Sequence, residues 1–335
     1  MKNKKHITDF FCSYKGYLCL SSLLIIVFVC SLSLGSAKMS FVEFFNALLF
    51  KGEENTTILY SIRLPRILAG IICGIGLSVS GVLLQTVTDN ALASPGIIGV
   101  SSGAGFFVVI SMIFPISFHM YLTPFFAFTG AFITTLAVVF ISRIAGGTKT
   151  SVILSGVAIN TFLNALISLI TLIDSDILVS YNAFSIGSLV GVQYKDLLIP
   201  FVFICISFVF CIIFSKKIDI LYLGEFVSTS LGINYKKLTF ICIILASFCA
   251  SSVISFGGLI GFVGLIVPHL SRFLCGNNTK SLLINSALIG GIITLLADLF
   301  GRIVFAPSEM PVGITLAFIG VPFFIVLLLK NRGRY

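Results

Sequence analysis

The groups with the most chemical potential in this sequence are charged residues set in apolar surroundings. Arg63-Leu64-Pro65-Arg66 places two guanidinium groups at the mouth of a helix, with a proline suited to a helix start. A third arginine, Arg302, follows Asp298 at the i+4 position, and Glu309 lies a little further on. The arginines have two readings. They snorkel at a membrane interface, or they form a cationic rim that docks an acidic external partner or attracts an anionic solute. For Asp298, a local ion pair with Arg302 competes with a role in proton coupling. His269, within Val267-Pro268-His269-Leu270, has no partner ligands in sequence and reads as structural.

Other chemistry is missing. Gly146-Gly147-Thr148-Lys149-Thr150 lacks the G-x-x-x-x-G-K-[ST] spacing that wraps a phosphate, so this chain is not expected to hydrolyse ATP. No Ser/His/Asp arrangement, zinc-ligand cluster or paired-carboxylate site supports an enzyme. The nine cysteines, Cys73, Cys205, Cys242 and Cys249 among them, sit mostly in apolar runs without CxxC spacing. They read as small buried apolar residues, not as a disulfide or metal framework.

The elements that must position these groups are membrane helices. Of 335 residues, 58% are hydrophobic and 10% charged, with a mean hydropathy of +1.14, whereas soluble domains carry about 25% charged residues. Apolar runs of bilayer-spanning length recur near 17–36, 64–86, 97–114, 121–142, 152–173, 197–214, 238–256, 259–272, 281–300 and 312–330. The chain is therefore expected to be an all-α integral membrane protein of about ten spans, one polytopic domain over 1–335 with an N-terminal tail at 1–16. Segment 17–36, preceded by Lys2, Lys4, Lys5 and Lys15 and ending near Gly35-Ser36-Ala37, imitates a signal peptide. Its apolar part is too long for one, and further spans follow.

The net charge of +9 is explained by topology rather than by nucleic-acid binding. With a cytoplasmic N-terminus, about fifteen of the 21 Lys/Arg fall inside and about six outside, and Lys330, Arg332 and Arg334 join the inner group. Both termini are then cytoplasmic, and Arg63, Arg66 and Arg302 fall outside, where that rule does not ask for them.

The sequence also hints at its own symmetry. Gly96-Ile97-Ile98-Gly99-Val100-Ser101-Ser102-Gly103 at the third span is echoed by Gly258-Leu259-Ile260-Gly261-Phe262-Val263-Gly264 at the eighth. An offset of five spans inverts one half relative to the other, a plan common among transporters. Small residues from Gly70 to Gly81 and from Ser101 to Gly105 permit close helix packing. The longest inner connection, 218–237, reads as a short amphipathic helix with Leu221, Leu223, Phe226, Val227 and Leu231 on its apolar surface, Gly232 as its stop and Lys236-Lys237 as its exit. It lies on the membrane surface or docks a cytoplasmic subunit.

Several segments in this order resemble the FecCD family, the permeases of iron-siderophore, haem and vitamin B12 ABC importers. They are Arg63-Leu64-Pro65-Arg66, Gly81-Val82-Leu83-Leu84-Gln85, Asn90-Ala91-Leu92-Ala93-Ser94-Pro95-Gly96 running into Gly99-Val100-Ser101-Ser102-Gly103-Ala104, and Ser155-Gly156-Val157-Ala158. Further along come Gly187-Ser188-Leu189, Leu223-Gly224-Glu225 with Ser230-Leu231-Gly232, Gly261 through His269, and Glu309-Met310-Pro311-Val312-Gly313. Two departures stand out. Ala91 replaces the family's proline, and its tryptophan before Gly-Ser-Leu is absent, with Phe184 nearby.

The resemblance implies a type II importer permease with an inverted internal repeat in the bacterial cytoplasmic membrane. It would pair with a second permease copy or a paralogue, with the pathway at their interface. Two ATPase subunits, which carry ATP and Mg, would bind beneath, and an extracytoplasmic solute-binding protein would deliver the solute. Ferric siderophore is the leading substrate expected, then haem or cobalamin. By the same resemblance, Arg63, Arg66 and Arg302 would receive acidic residues of the binding protein. Leu223, Gly224, Glu225, Leu231 and Gly232 would couple to the ATPase, and Asn90, Leu92, Thr150 and Ser151 would form a cytoplasmic gate. No cofactor or metal is expected on this chain. The competing class, an ion-coupled secondary transporter, needs buried carboxylates, and the spans supply few beyond Asp298.

Overall fold

The computed structural model describes residues 8–36, 39–114 and 116–330, and every regular element among them is helical. Lys2, Lys4, Lys5, Ala37, Arg332 and Arg334, used in the signal-peptide and charge arguments, lie outside the described residues. In chain order the helices are α1 (Tyr14–Ser33), α2 (Phe41–Leu48), α3 (Glu53–Thr57), α4 (Leu64–Thr88), α5 (Val100–Met112), α6 (Ile116–Ile144), α7 (Lys149–Ile173) and α8 (Ser175–Ile186). They continue as α9 (Tyr194–Ile213), α10 (Ser215–Leu221), α11 (Gly224–Ser230), α12 (Tyr235–Gly257), α13 (Val263–Cys275), α14 (Thr279–Val304) and α15 (Val312–Lys330). Among the described residues, seven helices are long and apolar enough to cross a membrane, and three shorter apolar ones, α5, α13 and α15, occupy the remaining expected spans.

Burial ranks these helices. The apolar window containing α4 is 83% buried and that of α14 is 72%, against 17% for α7, so α4 and α14 are central and α7 is peripheral. Small residues make the centre possible. Gly74 of α4 faces Gly290 and Gly291 of α14, and a Cβ at Gly81 would overlap the Gly264 carbonyl of α13. With lipid as apolar as the side chains, this close packing replaces the hydrophobic drive available in water. Buried hydroxyls add cross-helix bonds: Ser80 donates to the Ala246 carbonyl of α12 at 2.7 Å, and Ser247 bonds Thr135 of α6 at 3.0 Å.

Helices α5 and α13 have 13 residues each, about 20 Å at 1.5 Å per residue, against a hydrocarbon core of about 30 Å. Each is preceded by an approach without α-helix: 89–99, which contains one 3-10 turn at Pro95–Ile98, and 258–262. Such backbone is tolerated at membrane depth only when buried in protein, and apart from the exposed Asp89 and Gly261 both segments are buried or half-buried. Asn160 of α7 donates to the Gly96 carbonyl at 2.9 Å, and the Leu259 N–H donates to the Phe184 carbonyl of α8 at 3.2 Å. The paired short helices fall on the third and eighth spans, where the sequence echo placed a repeat.

Two features differ from the sequence reading. Helix α8 and the short α2 and α3 lie between the expected spans. The connection 218–237 is not one amphipathic helix: it breaks at Tyr222-Leu223, because Gly224 takes a φ of +86° that no α-helix continues, and Gly232 stops α11 with a φ of +78°.

Candidate functional site

Helix α4 joins two polar centres about 37 Å apart, its 25 residues each rising 1.5 Å. Its beginning carries the arginines and its end opens on a cavity. The arginines do not stand at a helix mouth as the sequence suggested: a π-helical segment, Ile58–Arg63, runs directly into α4, so Pro65 lies inside one continuous helix, Glu54–Thr88. Asp89, with a φ of +49°, turns the chain out of the last turn.

At the beginning, the exposed cationic rim expected from sequence is corrected: Arg63, Arg66 and Arg302 are 4%, 5% and 2% exposed. Asp298, wholly buried on α14, accounts for much of this. One carboxylate oxygen meets Arg66 Nε at 3.0 Å and Nη2 at 2.9 Å, and the other meets Arg302 Nε at 3.0 Å. Arg66 also pairs with Glu309, which takes a bond from the Ser36 hydroxyl. Two carboxylates face three guanidinium groups, and the C-terminal end of α1 offsets the excess. Arg63 donates to the Leu32 and Ser33 carbonyls at 2.6 and 2.9 Å, and Arg302 to the Ser31 carbonyl at 3.3 Å, where the helix dipole is negative. The cluster thus ties α1, α4, α14 and the 305–311 loop together. Glu309, in that loop, is pushed up by burial, yet the Ser36 hydroxyl and the Arg66 guanidinium outweigh this and hold it below the usual carboxylate range. The expected ion pair of Asp298 with Arg302 is present, and Arg66 is the partner the sequence did not reveal.

At the far end, a cavity of about 710 Å³ is lined by Asn90, Leu92 and Thr150 together with Gln85, Tyr222, Arg272 and Asn277. Three of the four gate residues named from the sequence therefore meet. Ser151 does not join them: its hydroxyl reaches Ser142 at 2.9 Å and the Thr148 carbonyl at 2.8 Å. The Asn90 carboxamide oxygen accepts from the Leu92 N–H at 2.9 Å and holds the turn. Lys149 and Asp89 pair across the mouth at 3.1 Å, both exposed.

Beside the cavity, α11 and its flanking residues present apolar side chains outward, whereas Leu221, expected on the same surface, is buried at the end of α10. Leu223 is 56% exposed and Leu231 58%, and Glu225 pairs with Lys236 at 3.7 Å. Sequence reasoning missed Gln85, Tyr222 and Arg272. The signal was there in Gln85 and Arg272, polar groups inside or at the edge of apolar runs, which are seldom idle in a membrane protein. Among the described residues no group of three or more His, Cys, Asp or Glu could hold a metal ion, and His269 is half-buried on α13.

A model of the FecCD transport family matches residues 23–330. The hemin transport system permease protein of Yersinia pestis is 33% identical over 323 residues, 94% of this chain and 96% of that relative. The Fe(3+)-citrate import system permease protein of Bacillus subtilis is 37% identical over 316 residues, 93% of each chain. Among solved structures, a metal-chelate type ABC transporter in an inward-facing conformation superposes with a TM-score of 0.83 at 30% identity, covering 95% of this chain and all of the other.

Proposed function

The chain belongs to the FecCD transport family, and from that premise we propose that it is the permease that passes an iron(III) chelate, a siderophore first and haem or cobalamin next, into the bacterial cytoplasm. It is a multi-pass membrane protein and a permease of ABC-importer type. The observation that carries the reading is the juxtaposition at one end of α4: a polar cavity holding Asn90, Leu92 and Thr150 beside an outward-facing apolar segment at Leu223 to Leu231. A cavity mouth is where a pathway opens, and an exposed apolar segment next to it suits docking into a cleft of an ATPase.

The cavity end faces the cytoplasm in this proposal, supported by the excess of Lys/Arg on that side. ATP and Mg stay on two ATPase subunits, and a second permease subunit, identical or paralogous, completes the pathway. Docking of the solute-binding protein belongs to the arginine end. Arg63, Arg66 and Arg302 serve it chiefly by fixing the shape of that surface, since carboxylates and carbonyls of the same chain engage their guanidinium groups. A partner carboxylate would have to replace Glu309 to reach Arg66. The ion-coupled alternative loses its best carrier, because Asp298 is held by two guanidinium groups.

Uptake of radiolabelled iron as ferric siderophore, with labelled haem and cobalamin in parallel, by iron-starved cells with and without this gene tests the proposal. Loss of one uptake names the substrate. Retention of all three, with paralogous permeases also deleted, would refute the importer reading.

A further inference from the structure

The cavity end carries a circuit of polar contacts that packing alone does not require. Gln85 and Thr86 lie on the last turns of α4, 2% and 1% exposed. Tyr222 sits at the break between α10 and α11. The Thr86 hydroxyl and the Tyr222 hydroxyl are 2.8 Å apart, and Thr86 also donates to the Val82 carbonyl at 2.8 Å. A threonine has one hydroxyl proton, so the proton between the two side chains comes from Tyr222. Arg272 of α13 closes the circuit by bonding the Gln85 carboxamide oxygen and reaching the Tyr222 oxygen at 3.5 Å. Gln85 in turn donates to the Gly264 carbonyl at 3.3 Å.

The segment that bears Tyr222 is braced as a unit. The Ser228 hydroxyl of α11 lies 3.0 Å from the Ile220 carbonyl of α10, and Asp219 accepts from the Thr279 N–H at the start of α14 at 2.8 Å. A push on α11 therefore arrives at Tyr222 instead of dissipating at the break. Gln85, Asn90, Leu92 and Tyr222 line the same cavity.

We propose that Tyr222 is a positioning residue that relays displacement of the 223–232 segment to the 85–92 gate through Thr86 and the Arg272 and Gln85 pair. This rests on the ATPase-coupling role proposed above for that segment. The relay needs a hydroxyl, not merely an aromatic ring. A bonded circuit moves as one body, whereas ring packing alone would let the segment slip past α4.

The test uses the full complex with its ATPase subunits in proteoliposomes. Ala91→Cys, in the cavity wall, is labelled with a membrane-impermeant maleimide without nucleotide and with ATP plus vanadate. Subtracting the parent chain removes the nine native cysteines. With Tyr222→Phe, the nucleotide-dependent change in labelling should shrink about fivefold, the shift one hydrogen bond carries, while ATP hydrolysis continues. Thr86→Val should reproduce the loss, Thr86→Ser should retain the full change, and the Tyr222→Phe, Thr86→Val pair should lose no more than either alone. A full change in Tyr222→Phe, losses that multiply in the pair, or no nucleotide-dependent change in Ala91→Cys itself would each overturn the relay. Leu231→Asp separates the premise: it should abolish ATPase association, and retained association would refute the coupling role whatever Tyr222 does.

Discussion

The two ends of α4 solve opposite problems with similar residue types. At its beginning, guanidinium and carboxylate groups are buried, mutually paired and tied to three helices and a loop. At its end, Lys149 and Asp89 pair in the open, Asn90 and Leu92 line a cavity, and apolar side chains on and flanking α11 face outward without cover. One end is locked by interactions too costly to break, and the other is held by contacts cheap enough to change.

The contrast is most directly broken at Asp298. Asp298→Ala leaves Arg66 and Arg302 buried without their shared counter-ion and should destabilise the fold by about 3–5 kcal/mol, read as a drop in thermal unfolding midpoint in detergent. Gly81→Ala probes the body between the two ends. Its Cβ would meet the Gly264 carbonyl, so α4 and α13 must separate, at a cost of about 1–3 kcal/mol by the same assay. Lys149→Ala at the cavity mouth should cost under about 1 kcal/mol, because the pair is exposed. A loss there equal to that of Asp298→Ala would erase the distinction between the ends.

Acidification sharpens the comparison most gently. Glu309 has a folded pKa below its ordinary 4.5. Its contribution is complete above that value and is lost as pH falls through the depressed one. Mild acid down to about pH 5 should therefore leave the arginine end intact, as followed by thermal unfolding across pH, and Glu309→Gln should remove the loss seen at lower pH.

Hydropathy made the spans legible because a bilayer permits so few solutions: α4, α6, α7, α9, α12 and α14 all fall where apolar runs of the right length fall. The short α5 and α13 were visible through their glycines. The burial of the arginines was not legible, since a charged residue at a span end reads as facing water or head groups. What buries Arg63 and Arg302 is the carbonyl-bearing end of α1. Backbone acceptors carry no sequence signature. The break at Gly224 was hidden for another reason: glycine permits a positive φ without announcing it. Tyr222 was hidden in turn, because only that break brings it against Thr86.

The bond between Arg66 and Asp298 spans 232 residues of sequence, and that separation sets a clock on the protein's birth. At about 5–20 residues per second, the ribosome needs roughly 12 to 46 s to deliver Asp298 after Arg66 has emerged. Throughout that interval Arg66 lacks the carboxylates that will hold it, whereas the α1 carbonyls that receive Arg63 have already been made. Arg66 must wait at the head-group level, where long side chains keep their charge wet. The nascent chain therefore completes its α4 seam late, and a ribosome stalled before α14 leaves behind an N-terminal fragment that can insert but cannot lock.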